Sequence, residues 1–173
     1  MSLIAGCGSK SSAVTSALFT DADFSVCSGT PAMRYVSGMS VLSTSGAYRA
    51  AIVSASTDQG SGAPVPTAAI GYDTFTVAVT SVTSGGGDAG APAPDGLMMA
   101  TPPVSQSYPA DPYMPVHGHG ASTIPTITAQ GGGLYSVAAA DFFMGGYWQL
   151  YLALTPSGGE ADPVTFDVCI PDD

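Results

Sequence analysis

Two histidines, His117 and His119, stand one residue apart in Met114-Pro115-Val116-His117-Gly118-His119-Gly120, and they are the only histidines in 173 residues. In an extended segment, residues 117 and 119 project to one side with Cα atoms about 7 Å apart, which lets two imidazoles share one metal. Gly118 and Gly120 remove bulk beside them, and Met114 can add a thioether. Met144, Met98 and Met99 are secondary sulfur donors, available if folding brings them near. Histidine with methionine is a ligand set that favours copper, Cu(I) above all, over zinc, magnesium or calcium. The same residues admit a reading without metal. Glycines accepting a positive φ, Met114 plugging a core and histidines bonding loop carbonyls would together make a structural corner. Both readings stand at this point.

Other chemistries lack their residues. There is no Gly-x-Ser-x-Gly elbow, and neither Gly85-Gly86-Gly87 nor Gly131-Gly132-Gly133 is followed by Lys-Ser/Thr, so acyl transfer and phosphate cradling have no motif. No Asp-x-Asp-x-Asp calcium loop occurs. Asp88, Asp95, Asp111, Asp141, Glu160 and Asp162 fall near expected turns, where a carboxylate is ordinarily solvated. An enzyme is not expected. Lys10, Arg34 and Arg49 face 13 acids, for a formal charge of -10. Three cations cannot neutralise a run of phosphates, which argues against nucleic acid, and an acidic surface disfavours adsorption to anionic lipid.

The elements that would position these residues are strands. Twenty-two glycines, 14 prolines and only 9% charged residues suit short strands joined by many turns and suit long surface helices poorly. Phe75, Val77 and Val79 alternate with small polar residues, and Trp148, Leu150, Leu152 and Leu154 alternate with Tyr147, Gln149, Tyr151 and Ala153. Tyr48 to Ala55 and Leu134 to Ala140 are weaker candidates, because their small side chains do not label a face. Trp148 is expected as the central core aromatic, its indole N–H needing a partner. About seven short strands with long Gly/Pro-rich loops make an all-β, antiparallel sandwich the expected fold.

Three cysteines complete the pattern. Ile4-Ala5-Gly6-Cys7 resembles a bacterial lipobox, in which the cysteine carries the lipid, although the charged and apolar regions that precede a lipobox are not in this sequence. Residues 1–24 then read as lipobox remnant and tether, and 25–173 as a single sandwich domain. Cys27 and Cys169 remain as a pair. In Pro163-Val164-Thr165-Phe166-Asp167-Val168-Cys169-Ile170 the large apolar residues share one face and Cys169 falls on the other, so a Cys27–Cys169 disulfide accounts for it better than packing. That pairing fits an oxidising compartment outside the cytoplasm.

From residue 71 to about 170 the order of motifs resembles the YtkA-like family, related to FixH-like extracytoplasmic domains. The matching pieces are the strand beginning at Asp73, the stretch Met114 to Gly120, Gly133-Leu134-Tyr135-Ser136-Val137, Phe143 to Leu150, and Asp162 to Val168. The resemblance implies an immunoglobulin-like sandwich at the cell envelope and says little about activity. The chain departs from the family pattern in its long loops and in Gly145-Gly146 ahead of Trp148, where one Gly or Pro-Gly is usual. Taken together, these residues describe a non-catalytic, lipid-anchored envelope domain, periplasmic or at the outer-membrane face. Copper at His117 and His119 is its expected ligand, the membrane is met only through Cys7, and the loops are free for an envelope partner.

Overall fold

The period of two in apolar side chains decides which segments pair. A computed structural model describes residues 21–58, 67–82, 91–94, 96–103, 105–107 and 111–172. Among these residues it contains a 3-10 helix, Asp21–Cys27, and eleven strands: β1 (Met33–Arg34), β2 (Met39–Leu42), β3 (Tyr48–Asp58), β4 (Gly71–Ser81), β5 (Met98–Ala100), β6 (Tyr113–Met114), β7 (His119–Gly120), β8 (Thr126–Gly131), β9 (Leu134–Phe142), β10 (Gly146–Thr155) and β11 (Asp162–Ile170). Cys7 and most of the 1–24 segment lie outside the described residues.

Two sheets result. One runs β1-β11-β10-β6-β7, with β5 also on β10, and the other runs β2-β3-β4-β9-β8. Pairing is antiparallel except for β1, which lies parallel to β11. The sheets pack through the faces that the alternation marks. Phe75, Val77 and Val79 from β4 are buried against Trp148, Leu150, Leu152 and Leu154 from β10 and Val164, Phe166, Val168 and Ile170 from β11. The all-β sandwich read from the sequence is the observed fold. The strand count differs: five strands are nine to eleven residues long, and the rest are mostly two- to four-residue strands. Such short strands exist only because a partner edge is present, so local composition does not announce them.

A disulfide joins Cys27 to Cys169 across 142 residues, with Cα atoms 6.0 Å apart. It fastens the end of the 3-10 helix to the end of β11.

Asp111 is not the solvated loop acid that its turn-like surroundings imply. On the edge of β10 away from β11, Gln149 pairs with Tyr113 of β6 and Ala153 pairs with Ala100 of β5. Tyr151 falls between these partners, and its backbone N–H donates to Asp111 Oδ1 at 2.9 Å. The carboxyl thus does the work of a missing strand carbonyl. It is buried for that reason, and burial, partly offset by the Tyr151 N–H, pushes its pKa up to about 7.

Candidate functional site: a His/Met pocket at one end of the sandwich

The stretch 114–120 is a hairpin and not an extended segment. Met114 of β6 pairs with His119 of β7, and the N–H groups of His117 and Gly118 both donate to Met114 O, at 3.2 and 2.9 Å. Gly118 takes φ 70°, which a side chain would resist and glycine does not. The tight turn corrects the expected geometry and still brings the histidines together, with ring centroids 5.6 Å apart. Two imidazoles that share a metal through bonds of about 2.0 Å keep their ring centres roughly 5 to 6.5 Å apart, so the observed spacing fits a shared ion.

Beneath His117 lies a pocket of about 220 Å³ lined by Met114, Met144, His117 and Asp172, with Val26, Val116, Gly145, Gly146 and Tyr147. Its parts come from four segments. Met114 is the floor: it is only 1% exposed and packs in the hydrophobic core. Trp148, fully buried, donates its indole N–H to Met144 O at 3.0 Å, which fixes the backbone that carries the second thioether. Gly145 and Gly146 have a structural cause. A Cβ on Gly145 would overlap the Asp172 carboxylate, and one on Gly146 would collide with Met114 Cε. Gly146 also takes φ 132°, outside the range that side-chain-bearing residues adopt readily.

His119 does not line this pocket. Its ring stacks on Phe143 at 5.4 Å and meets the edge of Trp148 at 6.4 Å. It therefore stands at the junction of the rim and the aromatic core, where Phe143 and Phe142 pack edge-on against Trp148. On the other face of β10 the Tyr147 hydroxyl donates to Asp167 Oδ1 at 2.7 Å, and Gln149 Nε2 donates to that same carboxylate oxygen at 3.0 Å. Burial and the neighbouring Asp167 hold the Tyr147 phenol well above its ordinary pKa, so it stays a neutral donor. The strand that carries the pocket's back wall is thereby held on both faces.

Met98 and Met99 are not at this site. They pair with Thr155 and Leu154, at the far end of β10 from Gly146, roughly 25 Å away at the usual rise of a strand. Met144, the other secondary candidate, does line the pocket. Among the described residues no three of His, Cys, Asp and Glu cluster as a metal site, so a metal bound here must draw on thioether sulfur. Asp172 joins the site without a signal in the sequence, because nothing around it announces that it folds back to Gly145.

A second buried acid lies on the core-facing side of the other sheet. Asp73 is 0% exposed and is bonded to the Thr57 hydroxyl, which also donates to Thr67 O at 2.6 Å. One hydroxyl hydrogen cannot serve both oxygens, so a protonated carboxyl completes the pair. Burial, opposed by the Thr57 and Ala69 hydrogen bonds, pushes the Asp73 pKa up to about 8. Comparison with protein-family models, characterised proteins and solved structures found no match, so the likeness to the YtkA-like family rests on the five motifs alone.

Proposed function

We propose that this chain is a non-catalytic cell-envelope lipoprotein domain that binds copper transiently, as Cu(I), through His117 with Met114, Met144 and His119. The observation that carries the reading is that two methionines and a histidine line one pocket, with a second imidazole 5.6 Å from the first. These donors suit a soft monovalent ion. Bound copper would supply only its own charge and affinity for sulfur. The chain's residues hold and orient the donors: Trp148 fixes Met144 through its carbonyl, and Gly146 leaves room for the Met114 methyl. A net charge of -10 draws cations toward the surface and repels anions.

Envelope placement is supported by the Cys27–Cys169 disulfide, which persists in oxidising compartments, and by the lipobox-like Ile4-Ala5-Gly6-Cys7. The YtkA-like motif order points the same way. On this reading the domain touches the membrane only through lipid on Cys7, and it does not bind nucleic acid. Mass spectrometry after native expression is expected to show an acylated Cys7, and an unmodified product would remove the anchor from the proposal.

One observation favours a second reading. Met114 is almost fully buried, as a plug would be, so the hairpin can serve as a structural corner of an envelope interaction module. Anaerobic Cu(I) titration against a competing chromophoric chelator separates the two. The single tryptophan, Trp148, reports in parallel because its ring lies 6.4 Å from His119. Wild type should hold Cu(I) and show quenched Trp148 emission, and His117→Ala/His119→Ala should bind at least about tenfold more weakly, a loss of about 1.4 kcal/mol. Equal, weak retention by both proteins would leave only the corner.

A further inference from the structure

Asp172 is the only acid among the described residues that line the pocket. Three features fix it there. Gly145 has no side chain where the Asp172 carboxylate sits, so the back wall is shaped around that group. Ile170 pairs with Gly146, and the carboxylate therefore emerges two residues beyond the last rung of the sheet. One residue before that rung, Cys169 is bonded to Cys27, and Val26 beside Cys27 forms part of the same pocket. The disulfide thus pins the pocket's two terminal walls to each other.

The remaining donors, two thioethers and an imidazole, carry no negative charge. A cation held in this pocket gives up water beside the apolar side chains of Val26 and Val116, and such a transfer is costly without a counter-charge close by. Resting on the copper reading above, we propose that Asp172 is that counter-charge: a specificity-determining carboxylate that makes the pocket select a soft cation over neutral ligands.

Titration with silver nitrate, a soft monovalent probe that needs no reductant, tests this in a chloride-free buffer at low and high ionic strength. Asp172→Asn is expected to bind silver about tenfold or more weakly than wild type and to show a flatter salt dependence. Asp172→Glu, which keeps the charge, should restore most of the affinity. Unchanged Trp148 emission in both variants would show that the pocket is still folded, a readout on which a merely structural Asp172 would fail. His117→Ala is run alongside. If Asp172→Asn matches wild type in affinity and salt dependence while His117→Ala loses binding, the role of Asp172 is overturned and the His/Met site stands. If wild type itself fails to bind silver, or if His117→Ala also matches it, both readings fall.

Discussion

Asp73 shows how one residue can link the strand pattern to solution behaviour. It falls in phase with Phe75, Val77 and Val79, so the alternation that identifies β4 also places a carboxyl among core residues. Below about pH 4 the carboxyl is protonated in both folded and unfolded chains, and its contribution to stability is fully present. As pH rises toward about 8, the unfolded chain ionises while the folded one does not, and stability is lost. Asp111 acts in the same direction up to about pH 7. Each group removes up to ~1.4 kcal/mol per pH unit within its window. Urea unfolding is therefore expected to show lower stability at about pH 8 than at about pH 5, and Asp73→Asn should flatten part of that slope. A slope unchanged in Asp73→Asn would show that the proton balance lies elsewhere. Trp148→Phe removes the indole donor to the Met144 carbonyl and should cost about 1–3 kcal/mol in thermal or chemical unfolding.

Among the elements, legibility followed side-chain size. β4, β10 and β11 could be read because Phe, Trp, Leu, Val and Ile label one face of each strand. β3 and β9 were harder, since Ala, Ser and Thr pack or face solvent with little penalty either way. β8 offers mostly exposed small residues, and β6 with β7 is a four-residue ribbon that needs the edge of β10. At the site, the His-Gly-His spacing was visible, while the contributions of Asp172 and the Gly145-Gly146 pair depend on the chain returning from far away. The same dependence separates Met144 from Met98 and Met99, which no sequence spacing distinguishes. Gly146→Ala tests the element directly: the added Cβ meets Met114 Cε at a backbone angle that alanine resists. The expected result is a loss of about 1–3 kcal/mol in stability together with weaker metal binding, read by unfolding and by titration.

The whole molecule gathers its special features at one end. The disulfide, the hairpin, both pocket thioethers and the 3-10 helix lie where β10 begins and β11 finishes. Cys27→Ala/Cys169→Ala releases a constraint spanning 142 residues and should lower stability by about 5 kcal/mol, measured by urea unfolding against the oxidised protein. Asp111 carries a consequence for the edge of β10. By accepting the Tyr151 N–H between β5 and β6, it completes the hydrogen bonding of an edge whose other stretches those two strands cover. Replacing it with alanine would leave that buried N–H without an acceptor, and urea unfolding should register a loss of about 1–3 kcal/mol.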